Sequence, residues 1–403
     1  MKFELEEKAV RFFPEGRIDA DSSAVFEKEI TSALEKNPDH LPLFDMAGLE
    51  YISSAGLRVL LKIAHRYSKK LRIVNVPEEI FEVLMTTGFT EVFNVYKVND
   101  TSLSKDKADK YSVREVDVSE YKHIYGDNVM DTYLTGEDTS VMLYHENVSL
   151  ELIRKNKSKS EISLKAGVPV LISYDIVSCG ERFGIVFENI KNSESLIIKM
   201  QNDKAHLADY AAKLALWTKK IHSIDADHTK LESADKMILM LYNRLKSTAI
   251  LKPVEYDSLT KVIKNAPDST SYCHNDLTPH NILANGDEYI AIDAYMAAKG
   301  HAIHDLASFA WYFKFLPQLG IDSQAVMFTD SEKELIWSTF LKTYFGTDDE
   351  NFLYKAEYQI NQFTAVKYLA AAALIPNFAS KSVILKLKRM AIAMSHEIEP
   401  LCF

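Results

Sequence analysis

Apolar and polar positions alternate in short runs over the first hundred residues. Residues 3–15 alternate loosely and carry Val10, Phe12 and Phe13, which predicts strand. Asp21-Ser22-Ser23 offers a helix cap, and Phe26, Ile30 and Leu34 follow at fourfold spacing. The apolar run 41–44 predicts a short strand ending at Asp45. Leu57, Leu60, Leu61 and Ala64 share one face of a helix over 55–67. A strand over 71–74, a helix over 78–85 that stops near Gly88, and a strand over 92–96 complete the pattern. Strands with interposed helices over residues 1–98 predict one compact α/β domain with a mixed sheet.

Residues 99–119 lose the alternation and become polar and charged, which reads as a linker. From 120 to 190, strand-like runs at 140–144 and 183–187 surround one helical stretch over 150–165. From 191 to 403 helices dominate, at 206–222, 234–246, 332–344, 352–373 and 380–398, interrupted by a hairpin over 281–293. The second half is therefore a small mixed lobe followed by a larger, mainly helical lobe, together a bilobal α+β arrangement. No internal repeat or low-complexity tract is visible.

Composition narrows the partners. The 403 residues carry a net charge of -10, which argues against a dedicated nucleic-acid binder. Cys179, Cys273 and Cys402 form no CxxC pair, so a zinc cluster or disulfide framework is not expected, and a reducing compartment fits. Charges interrupt the first residues where a signal peptide needs an apolar run, and no stretch reaches the ~20 apolar residues of a membrane span. The expected location is cytoplasmic, with no membrane partner.

The first chemical constellation runs from Asp45 to Arg58. A buried strand leads through a loop to a helix that opens on Ser53 and Ser54. Serine at a helix start caps orphan N–H groups, and the same place tolerates an anion. Gly16-Arg17-Ile18-Asp19, Asp45, Tyr51-Ile52-Ser53-Ser54-Ala55-Gly56-Leu57-Arg58-Val59-Leu60 and Met85-Thr86-Thr87-Gly88-Phe89 stand in the order of a STAS domain. Residues 1–98 thus resemble the anti-sigma-factor antagonists. The resemblance implies a phosphoacceptor serine at the helix start, Ser54 by position with Ser53 as second choice. It also implies an anti-sigma factor, or a serine kinase or phosphatase, as partner.

The second constellation is His274-Asn275-Asp276-Leu277-Thr278-Pro279-His280-Asn281, followed by Ile290-Ala291-Ile292-Asp293. Asn285-Gly286 between two apolar runs predicts a tight hairpin turn, which brings Asn281 and Asp293 to the outer ends of paired strands. Phosphoryl transfer needs a carboxylate for the acceptor hydroxyl and oxygen ligands for Mg²⁺. Asp276 suits the first task, Asn281 and Asp293 the second. The pattern resembles the aminoglycoside phosphotransferases and the protein-kinase-like fold over 120–403. That resemblance implies ATP and Mg²⁺ as cofactors and a hydroxyl acceptor, either a small molecule or a STAS serine such as Ser54. It gives Asp276 the catalytic-base position, Asn281 and Asp293 the metal positions, and His274 a supporting role in the loop. Gly184-Ile185-Val186-Phe187-Glu188 resembles the strand into the hinge, where Glu188 would mark the adenine site. His304-Asp305-Leu306-Ala307 reads as structural.

Against that resemblance, the turn at 124–131 holds one glycine and two acids. Met142 occupies the position of the phosphate-binding lysine, and Glu161 falls late for its helix partner. Lys155, Lys157 and Lys159 could replace that lysine, but read first as a solvated basic face. Two readings stay open: a phosphotransferase with a degenerate first lobe, and a non-catalytic signalling protein whose kinase-like part senses a ligand. Trp217, Trp311 and Trp337 read as core. His301 and His304 lack a third metal ligand, and Cys273 reads as a buried filler.

Overall fold

The computed structural model describes residues 1–6, 8–67, 71–97, 113–126, 129–321, 327–375 and 378–403. They form two compact units, Met1–Asn192 and Ser193–Phe403.

The first unit begins with β1 (Lys2–Glu6), β2 (Ala9–Phe13), β3 (Glu15–Ile18), α1 (Ala20–Lys36), β4 (Leu41–Asp45) and β5 (Gly48–Ile52). It continues with α2 (Ser54–Arg66), β6 (Arg72–Val76), α3 (Glu78–Thr86) and β7 (Asn94–Lys97). The sheet order is β1-β2-β4-β6-β7, with β1 antiparallel to β2 and the remaining neighbours parallel. β3 pairs separately with β5. Parallel strands covered by helices carry apolar residues, here Val10, Phe12, Leu43, Phe44 and Ile73, all buried. Phe12 stacks on Phe44 with centroids 5.2 Å apart. The cap of α1 is Asp19, two residues before the predicted one. Its carboxylate accepts from the Ser22 N–H while the Ser22 hydroxyl receives the Asp19 N–H, a reciprocal box that starts the helix at Ala20.

A second sheet follows in the same unit. It uses β8 (Val113–Glu115), β9 (Lys122–Gly126), β10 (Met130–Leu134), β11 (Thr139–Tyr144), β12 (Ser173–Cys179) and β13 (Arg182–Glu188), in the order β8-β12-β13-β11-β10-β9. The helix α4 (Leu150–Lys165) connects β11 to β12. Part of the stretch read as linker thus belongs to this sheet: β8 runs parallel to β12, and Val116 and Val118 pack on Val141, Leu143, Val177 and Val186. Residues 99–112 of that stretch, and 127–128 of the glycine-poor turn, lie outside the described residues.

The second unit is mainly helical. It comprises β14 (Glu194–Ser195), α5 (Leu196–Asn202), α6 (Leu207–His222), α7 (Ala234–Leu245), α8 (Pro253–Lys264), β15 (Tyr272–Cys273), β16 (Ile282–Asn285), β17 (Glu288–Ala291) and β18 (Ala298–Lys299). Then come α9 (Ile303–Ala310), a π-helical turn at Trp311–Phe315, α10 (Leu316–Leu319), α11 (Asp330–Phe345), α12 (Glu350–Leu374) and α13 (Lys381–Met394). α8, with Pro253 in its first turn, was not anticipated. Trp311 and Trp337 are core, the first stacked on Tyr368 at 4.2 Å and the second on Phe309 at 5.9 Å. Among the described residues, no helix is long and apolar enough to cross a membrane.

Candidate active site

The loop between β15 and β16 carries the sequence's strongest motif. β15 pairs with β18, and β16 with β17 through the predicted turn, where Gly286 takes φ +55°. Beyond the ladder the Ile292 N–H still bonds the Asn281 carbonyl at 2.9 Å. Asn281 therefore lies opposite Ile292 at the open end of the hairpin, and Asp293 is the next residue along the chain.

Buried charge holds this loop. Asp305, at the start of α9, accepts from the His274 N–H at 2.9 Å and from the Asn275 N–H. His222, on α6, meets the same carboxylate at 3.0 Å and Tyr344 at 2.8 Å. Burial alone would push the Asp305 carboxyl up, but the His222 hydrogen bond and the charges of His222, His274 and Lys367 hold it below its ordinary value. Lys367, on α12, donates to the Asn275 carbonyl at 2.9 Å, the His304 carbonyl at 2.8 Å and the Ser308 hydroxyl at 3.0 Å. Its ammonium is fully buried, which lowers its pKa to about 8. Between these clamps Asn275 sits at φ +66°, a left-handed conformation that asparagine tolerates better than most residues.

The resulting geometry separates support from chemistry. His274 is completely buried and its Nε2 meets the Ile292 carbonyl at 2.9 Å, tying the loop to the end of β17. Asp276 is half-buried, and its Oδ2 accepts from Asn281 Nδ2 at 2.9 Å. The same amide donates to the Asp276 carbonyl at 2.9 Å, which leaves Asn281 Oδ1 as an acceptor directed elsewhere. Asp293 is exposed and adopts φ +56°, strain of the kind that concentrates at functional sites. Among the described residues, no group of three or more His, Cys, Asp and Glu could hold a metal. One amide oxygen and one carboxylate still fit Mg²⁺, which takes few protein ligands and completes its shell with phosphates and water.

The remaining candidates lie in the first unit. Glu188, at the end of β13, is 2% exposed. Its carboxylate accepts from the Ile172 N–H at 2.7 Å and is paired with Arg58, while its own N–H bonds the Ile172 carbonyl at 3.0 Å. Met142 sits on β11 opposite Ile185. The reading of Lys155, Lys157 and Lys159 as a solvated face holds only for Lys155. Lys157 is 1% exposed and Lys159 is also buried. Lys157 pairs with Glu161 at 2.5 Å one turn along α4 and donates to the Thr86 carbonyl at 3.1 Å. The helix face was misjudged because another part of the chain covers it. Ser53 is the N-cap of α2, accepting from the Gly56 N–H at 3.4 Å. Ser54 is the first helical residue, 6% exposed, and lies near Tyr174. Gly56 has to be glycine: a Cβ there would stand 2.7 Å from the Ile18 side chain and 2.8 Å from Ile52.

Sequence reasoning missed Lys367 altogether, although it is the only charge in the run 360–374. It also missed Arg58 as the partner of Glu188.

Comparison with known families agrees with the two motif sets. Residues 3–102 match the STAS domain, and residues 167–326 match the phosphotransferase enzyme family. The chain thus joins an N-terminal STAS domain to a phosphotransferase-type domain, with a helical C-terminal part. Similar solved structures include an ADP-bound aminoglycoside phosphotransferase, at 16% identity over 68% of this chain and 94% of that one, TM-score 0.47. A choline/ethanolamine kinase family protein from Mesorhizobium loti matches at 13% identity over 69% and 88%, TM-score 0.46. An amicoumacin kinase in complex with AMP-PNP and Ca²⁺ matches at 14% identity over 70% and 90%, TM-score 0.47. No curated protein sequence matches the chain.

Proposed function

We propose that the protein is a cytoplasmic regulator in which a phosphoacceptor STAS module, with Ser54 as acceptor, is joined to an ATP- and Mg²⁺-dependent phosphotransferase acting on a hydroxyl. The Asp276–Asn281 pair on a loop clamped by Asp305 and Lys367, with the strained Asp293 next to the Ile292 that bonds Asn281, carries this reading. Asn281 and Asp293 would hold the cation. When bound, Mg-ATP supplies the transferable phosphoryl group, its charge partly neutralised by the metal. Asp276 orients the acceptor hydroxyl and takes its proton, and Asn281 Nδ2 fixes the carboxylate for that task. The STAS domain would engage an anti-sigma factor or a serine kinase or phosphatase.

A second reading, nucleotide sensing without turnover, is favoured by one observation. Met142 offers no positive charge on β11, and Lys157 is engaged with Glu161 and Thr86.

Thermal unfolding of the full chain with and without Mg-ATP, beside Asp293→Ala, tests the first reading. A stabilisation that needs the metal and is lost in the variant is expected. It should reach about 2.7 kcal/mol at a hundredfold excess over the dissociation constant. No shift at millimolar nucleotide would overturn the reading. Stabilisation without Asp276-dependent phosphate transfer would select the sensor.

A further inference from the structure

The STAS face that carries Ser54 is covered, and its cover is the β8–β13 subdomain of the same chain. Arg58, one turn beyond Ser54 on α2, reaches Glu188 with Nη2 and Nε and donates to the Val170 carbonyl at 2.6 Å. Tyr51 donates to Asp138 at 3.0 Å while Arg17 lies over its ring at 4.1 Å. At the other end of the interface, Lys157 bonds the Thr86 carbonyl at 3.1 Å and Lys165 pairs with Glu91 at 2.6 Å. Gly88, at φ +78°, lets the turn after α3 approach Lys165 and Glu161. Ser54 lies inside this frame, against Tyr174 of β12.

We propose that these contacts form a polar latch, and that phosphorylation of Ser54 requires the latch to open first. The proposal rests on Ser54 being the acceptor. In the transfer, Ser54 Oγ bonds to the γ-phosphorus of a nucleoside triphosphate and the bridging bond between the β- and γ-phosphates breaks. Nucleoside diphosphate leaves, and the hydroxyl proton passes to a base of the transferring enzyme. A serine only 6% exposed offers little approach for that reaction. The product is also disfavoured in the docked state, because it would place about two negative charges near Glu188 and compete with it for Arg58. Separation, in turn, strips Glu188 of its cationic partner and Lys157 of the Thr86 carbonyl. The latch is therefore specific rather than merely sticky. A partner that binds this STAS face must supply a carboxylate to Arg58, as Glu188 does, and so competes with the β8–β13 subdomain for it.

The test is thiol access in the full chain, without nucleotide or kinase. Ser54→Cys is alkylated with iodoacetamide and its rate read by peptide mass, which separates it from Cys179, Cys273 and Cys402. The latch predicts slow labelling, accelerated at least tenfold by Arg58→Ala. Glu188→Gln provides the same test should Arg58→Ala fail to fold. Equal rates with and without Arg58, whether fast or slow, overturn the latch. Hydrogen exchange supplies the second arm: Ser54→Glu should raise exchange over 150–165 as Arg58→Ala does, and unchanged exchange there overturns the incompatibility of phosphate with docking. Neither arm depends on ATP binding, so failure of the phosphotransferase reading and failure of the latch remain distinct results.

Discussion

Both units bury charge, and they use it differently. Around the loop at 274–281, Asp305 and Lys367 bond backbone groups of residues next to Asp276, leaving the Asp276 carboxylate half-exposed. Around α4, the buried charges bond one another and the STAS domain: Lys157 with Glu161 and Thr86, Glu188 with Arg58. The first arrangement prepares a site by fixing what surrounds it. The second removes its charged groups from chemistry and makes them a joint between subdomains. A buried cation near a catalytic motif is thus not evidence of a phosphate ligand until its partners are known.

The comparison breaks first at Asp305. Asp305→Ala removes the acceptor of two backbone N–H groups and leaves His222 without its carboxylate. Deleting one member of such a buried set costs roughly 3–5 kcal/mol. Urea unfolding of the full chain, followed through the transition of the second unit, would measure it. A loss below about 1 kcal/mol would mean that the loop keeps its shape without the clamp.

Lys157 sharpens the other half. Lys157→Met should cost on the order of 3 kcal/mol, because the buried Glu161 carboxylate loses the cation paired with it. The double variant Lys157→Met, Glu161→Leu should recover most of that loss, since replacing a whole buried pair with apolar groups is often close to neutral. If the single variant is neutral, Glu161 has another route to solvation and the pair is not part of the joint. The relevant transition is that of the first unit, read by denaturant unfolding.

The contrast also explains what the sequence could reveal. Local signals were legible: the serine pair opening α2, the Asn285-Gly286 turn, the periodic faces of α1 and α2, and the presence of helices at α6, α7 and α11 to α13. Asp276 bonds Asn281, and Asn281 faces Ile292 beside Asp293, through a loop and hairpin that are short-range features. What escaped was long-range pairing. Arg58 and Glu188 lie 130 residues apart, and Lys367 lies 92 residues from the carbonyl it supports. The periodicity of α4 gives its faces but not what covers them, so Lys157 and Lys159 read as solvated until the STAS domain was seen against that helix. The cap of α1 was misplaced for a smaller reason: Asp19 and Asp21 are both plausible caps, and only the return bond of Ser22 decides between them.

The smallest expected effect tests whether the loop's support depends on protonation. His304 is fully buried on α9, with Nε2 3.0 Å from Asp235 on α7, Phe363 of α12 edge-on to its ring, and Lys367 and Asp305 as the other charged neighbours. Burial depresses its pKa below 6.5 despite the raising effect of Asp235. The native state therefore keeps the ring neutral where the unfolded chain would already be protonated. The sign follows: its contribution is complete above about pH 6.5 and declines as pH falls towards the folded-state value. The steepest slope one such group can give is about 1.4 kcal/mol per pH unit. Urea unfolding of the second unit at pH 7.5, 6.5 and 5.5 should show stability falling with acid. His304→Gln keeps an amide donor for Asp235 but cannot titrate, so it should lower stability at neutral pH while flattening the slope. An equally steep fall in the variant would assign the acid sensitivity to another group, with His301, also depressed by burial, the next to replace.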